Sequence, residues 1–334
     1  MRKIWLVFLL LSNCFLAQQG RNFSMWYENP LQINPGATAA LNEANVGLFA
    51  NYRNQYFTLS DNPFQTFSFS FEAKLQGAKH RNSYFNSGVI AKNDISGDGN
   101  YMVTQLGIPL SYSVKVDEKS RLALGVYSGL YQRSIQGNSF TWDHQWNGSF
   151  FDVELIPGES IANASISTFD LSAGLFYSYK IDKTRKFSTG YALQHILSPD
   201  LAFNIEDRLM LRHNFHFQGS YKINGELIGL SPAMLLMFQG PNRNILAGTN
   251  IDFYLRAPSL RTMFFQPTIF SVGMYYRLQD ALIVNAYFMT KGMKIGLSYD
   301  TTLSRLSQFN NTVGAFEIFI SYQIDTRKQR KFLR

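Results

Sequence analysis

The sequence predicts an all-β protein, a single antiparallel up-and-down β-barrel of about 14 strands that spans an outer membrane. Three observations predict this fold: segments of about ten residues with alternating apolar and polar side chains, a candidate secretion signal, and connections of alternating length. In the clearest segment, 66–75, the rings of Phe67, Phe69 and Phe71 are separated by polar side chains. Because successive side chains of a strand point to opposite faces, these rings can face lipid while the polar groups face a wet lumen.

Residues 1–17 predict a cleaved signal peptide. Arg2 and Lys3 precede an apolar run that is too short to span a bilayer, and the polar residue Gln18 follows Ala17. The rival interpretation is a lipoprotein signal around Cys14, which has Asn in place of the usual Gly or Ala just before it. Cys14 is the only cysteine, so we expect neither a disulfide nor a thiolate metal site.

We expect one domain after the signal. An ordered periplasmic N-terminal segment at 18–43 precedes an outer-membrane barrel at 44–324 and a basic periplasmic tail at 325–334. No window of about 18 or more apolar residues follows the signal, so spanning helices are not predicted. Lipid offers the backbone no hydrogen-bond partners, and a closed sheet satisfies all of its polar groups. A membrane protein with this sequence must therefore be a barrel.

The chain carries a formal net charge of +8, which falls to +6 without Arg2 and Lys3, and the tail holds part of this excess. A basic tail can contact an acidic partner or lipid headgroups, or it can simply be solvated. Nucleic-acid binding is not expected, because the other charges are spread along the chain. The candidate contacts for a periplasmic partner are Arg327, Lys328, Arg330 and Lys331.

Alternation and turn residues predict the strands one by one. Short turns such as 117–120 and Asn224-Gly225 follow even-numbered strands, whereas the long segments 137–166 and 197–208 follow odd-numbered ones. Outer-membrane barrels have this asymmetry, with short turns in the periplasm, so an even strand count places both termini there. The fourteen strands are predicted at roughly 44–56, 64–75, 83–93, 100–116, 121–136, 167–182, 186–196, 209–223, 226–238, 245–256, 267–278, 281–290, 293–302 and 312–324.

A soluble β-sandwich also alternates apolar and polar residues, so alternation does not decide between the two folds. The prediction of a barrel therefore depends also on the signal, the strand lengths and the turn asymmetry. It depends further on the 18 Tyr and 29 Phe, many of which lie toward strand ends, as an aromatic girdle requires.

The histidines do not predict a catalytic or metal site. His213 and His216 are three positions apart on a strand, so they point to opposite faces. His80, His144 and His195 fall in or near turns, where we expect solvated or interfacial side chains. No nucleophile elbow, phosphate loop or zinc spacing occurs in the sequence, and we predict no catalytic residue, cofactor or metal.

One loop and one set of charges leave alternatives open. The stretch that begins at Asp94 resembles the start of a calcium loop, but Gln105 stands at its twelfth position, and a simple Asp/Gly turn is favoured. Lumen-facing ionisable groups could line a pathway or pair with one another, and we favour pairing because buried charges are usually paired. These groups are Arg53, Glu72, Lys74, Asp170, Lys180, Asp252, Asp300 and Glu317.

Two segments after the signal carry a family resemblance. The first reads Asn29-Pro30-Leu31-Gln32-Ile33-Asn34-Pro35-Gly36, and the second reads Tyr52-Arg53-Asn54-Gln55-Tyr56. Together they resemble the PorP/SprF family of Bacteroidetes outer-membrane proteins, which is associated with type IX secretion and gliding motility. Similar stretches at 122–131, 211–213 and 295–304 extend the resemblance over almost the whole mature chain. Gly36 replaces the usual Ala and Tyr56 replaces the usual Trp.

The two Asn-Pro pairs of the first segment fix rigid bends, because proline restricts its own φ and the conformation of the residue before it. The segment is therefore expected to be ordered without being a strand. We predict that it tucks under or into the barrel and accepts or donates hydrogen bonds with Arg53, Asn54 and Gln55. The alternative is an ordered leader without a functional contact.

The resemblance implies a non-enzymatic outer-membrane component that supports secretion and surface attachment of a large adhesin-type cargo protein. It also implies periplasmic or lipoprotein partners from the same machinery and a Gram-negative, Bacteroidetes-like outer membrane. Exposed aromatic residues in the longest loop are candidate cargo contacts, although they could equally pack together over the barrel mouth. They are Trp142, Trp146, Phe150 and Phe151. The alternatives are a passive porin or solute transporter, an outer-membrane enzyme and a soluble glycan-binding β-sandwich.

Overall fold

Fourteen antiparallel strands close into a barrel in which each strand is hydrogen-bonded to its neighbours in the sequence. The structure is a computed structural model that describes residues 22–40, 45–58, 62–75, 82–97, 99–136, 143–152, 154–156, 164–182, 184–203, 207–223, 227–256 and 268–324. The expected signal peptide, the Asn224-Gly225 turn and the basic tail lie outside these residues. No helix in the described ranges is long and apolar enough to cross a membrane.

All fourteen predicted strands are confirmed. They could be predicted because alternation and turn residues are local signals. They are β1 (Val46–Gln55), β2 (Phe64–Leu75), β3 (Ser83–Ser96), β4 (Tyr101–Lys115), β5 (Ser120–Ile135), β6 (Ala164–Lys180), β7 (Arg185–Gln194), β8 (Arg212–Ile223), β9 (Ile228–Gln239), β10 (Asn242–Arg256), β11 (Thr268–Arg277), β12 (Ala281–Thr290), β13 (Met293–Thr302) and β14 (Val313–Ile324). One turn of α-helix at Ser307–Asn310 lies between the last two strands.

The first and last strands close the ring. They pair from Val46 opposite Ile324 to Gln55 opposite Ala315, so the sheet has no free edge. The alternation along β2 has the predicted direction, since Phe67 is 50% exposed on the outer face and Ser68 is fully buried on the inner face. The outer wall is therefore apolar, as a barrel surrounded by lipid requires.

The two ends of the barrel differ. The end that carries the connections after even-numbered strands, such as 116–119 and 291–292, is called the short-turn side here. The opposite end, the long-loop side, carries the connections 136–163, 195–211 and 303–312. The asymmetry is incomplete, because the connections after β9 and β11 on the long-loop side are also short.

The interior is not the uniformly wet lumen that alternation suggested. Buried apolar side chains lie on the inner faces of β1, β9 to β12 and β14, whereas small and polar residues line much of the opposite wall. The apolar wall includes Leu235, Leu246, Tyr275, Ile283 and Phe319. These side chains are covered by another part of the same chain, which lies inside the barrel.

Candidate functional site

Residues 22–40, called the lumenal segment here, lie inside the barrel rather than beneath it. Their backbone forms three 3-10 turns, at Trp26–Glu28, Pro30–Gln32 and Pro35–Ala37. Each of the two prolines stands at the first position of its turn, where a missing N–H costs no hydrogen bond. The segment is thus ordered without being a strand, as the two Asn-Pro pairs predicted.

The segment runs along the lumen between the two ends of the barrel. Near the short-turn side, the Ala39 N–H donates to Glu72 at 2.7 Å. Near the long-loop side, Ser24 contacts groups at the ends of β1, β11 and β13. The lumenal segment therefore connects the two halves of the interior.

The amide of Asn34 anchors the middle of the segment. Its Oδ1 accepts from the Gly36 N–H at 2.8 Å, and its Nδ2 donates to the Leu175 carbonyl at 3.0 Å. Nδ2 also lies 2.9 Å from Nε2 of His216 on β8. Asn34 is completely buried, and these contacts satisfy its side-chain amide.

Other polar groups of the wall bind the same segment. Asn29 Nδ2 donates to Ser70 Oγ at 2.7 Å, and Gln32 Nε2 donates to Ser68 Oγ at the same distance. From β8, Asn214 Nδ2 donates to the Ile33 carbonyl at 2.9 Å. The contacts come from strands on opposite sides of the ring, so the segment bridges the lumen.

A glycine cradle, formed by Gly125 on β5 and Gly174 on β6, receives the turn at Pro35. The two glycines are direct partners across the strand pair. A Cβ at Gly125 would lie 2.3 Å from the Pro35 carbonyl oxygen, and a Cβ at Gly174 would lie 2.0 Å from Asn34 Oδ1. No other residue type fits at these positions while the segment stays in place.

Apolar packing attaches the segment to the opposite wall. Trp26 and Ile33 join a buried cluster with side chains of β9 to β12. The ring of Tyr27 stacks on Tyr275 with centroids 4.9 Å apart. Met25 joins a second cluster with Phe49, Ile269, Tyr287 and Phe319. The apolar wall of the lumen is thus the surface that the segment covers.

The polar latch is a buried cluster of Ser24, Arg53, Arg277, Asp300 and Glu317 on the long-loop side. Arg53 pairs with Asp300 at 2.7 Å and with Glu317 at 3.4 Å, while Arg277 pairs with Asp300 at 3.0 Å. The Ser24 N–H donates to Glu317 at 2.7 Å, and its hydroxyl donates to Asp300 at 2.8 Å. Arg277 also pairs with Asp280 at 3.0 Å, so two guanidinium groups face three carboxylates. The expected pairing is confirmed for Arg53, Asp300 and Glu317.

The second family segment contributes one residue to the latch. Arg53 contacts the lumenal segment through Ser24 Oγ at 2.5 Å, whereas the prediction placed its partner within the motif at 29–36. The predicted hydrogen bond from Asn54 is wrong, because strand alternation places its side chain, like that of Tyr52, on the outer face opposite Phe316. Gln55 ends β1 on the inner face.

His195 is neither the solvated nor the interfacial side chain that its place in or near a turn suggested. It is buried, and its Nδ1 lies 2.9 Å from Asp170 Oδ2. Its backbone is left-handed, with φ of 60°, which turns the ring inward against Tyr131. Alternation along the predicted strand 186–196 assigns position 195 to the outer face, and the sequence carried no signal for the left-handed residue that reverses this direction.

The predicted cargo contacts lie in the loop between β5 and β6. Trp146, Phe150 and Phe151 are 49%, 60% and 48% exposed, and the rings of Trp146 and Phe151 meet with centroids 5.1 Å apart. Part of each ring thus packs within the loop and part faces outward. Trp142 and the four tail residues Arg327, Lys328, Arg330 and Lys331 lie outside the described residues.

Several residues of this site were not singled out from the sequence. Ser24 and Arg277 lack any motif, but the inward glycines of neighbouring strands are a usable signal, since glycine in a strand indicates close backbone approach. In the described ranges, no three His, Cys, Asp or Glu side chains form a group that could hold a metal ion.

Comparisons with known proteins agree with this architecture. The family model described as type IX secretion system membrane protein PorP/SprF matches residues 15–322. A search of curated proteins finds no match. Among solved structures, the barrel is similar to the toluene transporter TbuX of Ralstonia pickettii, with 14% identity, a TM-score of 0.54 and coverage of 88% of this chain and 92% of that chain.

A second similar structure is the CymD monoaromatic hydrocarbon channel, with 9% identity, a TM-score of 0.51 and coverage of 92% of this chain and 95% of that chain. At such low identities the likeness concerns the fold, and function can differ between proteins that share it. The shared fold is the outer-membrane β-barrel.

Proposed function

The chain belongs to the PorP/SprF family of type IX secretion membrane proteins, and on this premise we propose that it is a non-enzymatic component that holds a large adhesin-type cargo at the cell surface during and after export. The outer membrane is its location, given the family and the barrel fold. The finer role is supported by the interior and by the longest loop.

The single observation that carries the proposal is the lumenal segment. A passive porin needs a continuous aqueous path, whereas here residues 22–40 bridge the lumen through the glycine cradle, the apolar wall and the polar latch. These contacts favour a rigid platform over a conduit. They argue against the alternative of a passive porin, whereas a solute transporter can also have a plugged lumen.

In the proposed orientation the short-turn side faces the periplasm and the long-loop side faces outward, as in other outer-membrane barrels. Trp146, Phe150 and Phe151 are then presented to the exterior as anchors for the cargo. Aromatic side chains supply large contact area at low entropic cost, which suits them to this role. Periplasmic or lipoprotein components of the machinery would bind at the opposite end.

The test replaces Trp146, Phe150 and Phe151 together by Ala in cells that lack the native gene copy. Surface proteins are released by protease shaving and identified by mass spectrometry, and the culture medium is analysed in parallel. We expect one or more large adhesins to move from the surface fraction to the medium. The matched control is Phe309→Ala, which removes an exposed ring from another loop of the same side.

Immunoblotting confirms equal amounts of barrel in both strains. An unchanged surface fraction in the triple variant would refute the cargo contact. Detergent pull-down of the tagged protein supplies a second measurement, in which co-purification of a large adhesin or a ring lipoprotein supports the proposal and a lone barrel contradicts it.

A further inference from the structure

A cavity of about 630 Å³ opens on the short-turn side, between the lumenal segment and the rim of the barrel. Tyr27, Ala37 and Ala40 of the segment lie at its inner end, and it is called the basic vestibule here. Seven Lys or Arg residues line it against four acidic residues. The cations are Lys74, Lys115, Lys119, Arg121, Lys180, Lys186 and Lys294.

Two like-charge pairs face this cavity. Lys115 on β4 is the direct cross-strand partner of Arg121 on β5, and Lys180 on β6 is the partner of Lys186 on β7. Like charges directly opposite each other destabilise an antiparallel pair. Two such pairs at the same end of the barrel do not stabilise the closed lumen. They therefore point to a negatively charged ligand.

The four carboxylates of the vestibule already have partners. Glu28 pairs with Lys294 at 2.6 Å, and Glu118 pairs with Lys115 at the rim. Glu72 accepts from the Ala39 N–H, and Asp117 accepts from the backbone of its own turn. These acids hold the lumenal segment and the turn in place, and the cations that line the cavity outnumber them by three.

Arg121 offers a donor for a ligand. Its guanidinium lies over the ring of Tyr84, 4.7 Å from the centroid, which fixes its orientation. Its Nη1 is buried and has no hydrogen-bond partner among the described residues. A buried donor without a partner carries a desolvation cost that an incoming carboxylate removes.

The size and the surroundings of the cavity favour a polypeptide as the ligand. The volume lies within the range of about 300–1,000 Å³ that is usual for ligand pockets and exceeds the needs of a single small anion. The barrel wall separates the cavity from the bilayer, so a membrane lipid cannot reach it laterally. The sequence after Ile324 is itself basic, so the end of this chain does not supply the complementary charge.

We propose that the basic vestibule binds an acidic, extended segment of a partner polypeptide that enters from the short-turn side. This binding does not depend on the proposed function. Only the assignment of the short-turn side to the periplasm rests on it. A partner held there would lie directly beneath the lumenal segment. The vestibule thus joins the partner to the same element that bridges the lumen.

The experiment uses the full-length barrel in neutral detergent and a fluorescein-labelled hexaglutamate peptide, with binding measured by fluorescence anisotropy. We expect saturable binding that weakens as NaCl is raised, and no binding of a hexaglutamine peptide. The variant Arg121→Gln/Lys180→Gln/Lys186→Gln should bind about tenfold more weakly. The control Arg243→Gln/Lys291→Gln/Arg305→Gln removes the same charge outside the vestibule and should bind as the wild type does.

Absence of hexaglutamate binding, or an equal loss in both triple variants, would overturn the proposal. Competition by inorganic phosphate at concentrations equal to those of the peptide carboxylates would also overturn it, because the site would then be one for small anions. If the triple variant does not fold, Lys180→Gln alone replaces it, with a loss of about twofold. The assay contains no secretion machinery, so a negative result leaves the proposed cargo role standing.

Discussion

The side-chain nitrogen of Asn34 lies 2.9 Å from Nε2 of His216, a residue 182 positions later in the sequence. The contact joins the family motif of the lumenal segment to the wall of the barrel at β8. Asn34 Nδ2 also donates to the Leu175 carbonyl on β6, so a single amide links two strands that are separated by β7. The motif is therefore an internal anchor.

Replacing Asn34 by Leu should release the lumenal segment. The substitution leaves the Gly36 N–H, the Leu175 carbonyl and the His216 ring without their partner, and each unsatisfied buried group costs about 1–3 kcal/mol. A reporter cysteine at Gln32 measures the effect through its rate of labelling by a polar maleimide. We expect fast labelling in Asn34→Leu/Gln32→Cys and slow labelling in Gln32→Cys alone, and equal rates would contradict the anchor.

An alanine in the glycine cradle should make the barrel leak ions. The Cβ of Gly125→Ala would meet the Pro35 carbonyl oxygen at 2.3 Å, so the segment must move. The matched control is Gly229→Ala, another substitution on the inner face, whose Cβ would lie 3.2 Å from the flexible ring of Tyr254. In planar bilayers we expect steady conductance from Gly125→Ala alone. Steady conductance of the wild-type protein would instead support the porin alternative.

Loss of Arg53 should destabilise the barrel strongly. Arg53→Met leaves Asp300 and Glu317 buried with one guanidinium fewer, and removal of one partner of a buried ion pair costs about 3–5 kcal/mol. The double variant Arg53→Met/Glu317→Gln removes a negative charge as well and should recover part of the loss. The measurement is the temperature at which the folded gel mobility disappears in detergent.

The control for the latch is Arg185→Met. Arg185 pairs with Asp182 in an exposed turn, where solvent screening leaves an ion pair with little effect on stability. The temperature at which Arg185→Met loses its folded gel mobility should stay close to that of the wild type. A similar fall in both variants would mean that the latch has no special role.

An arginine on the outer wall should impair insertion into lipid. Phe69 lies in the middle of β2 on the apolar outer face, and a cation near the bilayer midplane costs about 2–4 kcal/mol. Phe69→Arg should therefore fold into liposomes with lower yield than Phe69→Leu. Phe309→Arg, in a loop outside the wall, should fold normally. Equal yields for all three would argue against lipid contact at Phe69.

The strands could be predicted from the sequence because their signals are local. Alternation assigns Phe67 and Ser68 to opposite faces without knowledge of any distant residue. The prediction for the lumenal segment covered its order and its place under or inside the barrel. It did not identify the hydrogen-bond partners, since two Asn-Pro pairs restrict the backbone but do not select its contacts. The contact of Asn34 with His216 depends on closure of the whole ring.

The same limit explains the errors. His195 lies within the predicted strand 186–196, but its left-handed backbone and its packing against Tyr131 depend on tertiary structure that alternation does not report. Asn54 belongs to the family motif, yet its neighbour Arg53 is the residue whose parity points into the lumen. The family motif thus identified the segment that contacts the lumen, and alternation along the strand identified Arg53 as the residue that points into it.

The chain passes through a ring made of itself, because Ser24 lies in the long-loop half while β1 begins at the opposite rim. Folding can therefore follow one of two orders. Either the lumenal segment packs on the open sheet before β1 and β14 pair, or it is threaded through the lumen after the ring has closed. A folded protein fused on the N-terminal side of the lumenal segment would be too wide to pass through the closed lumen. The same protein fused after β14 would not need to pass through it.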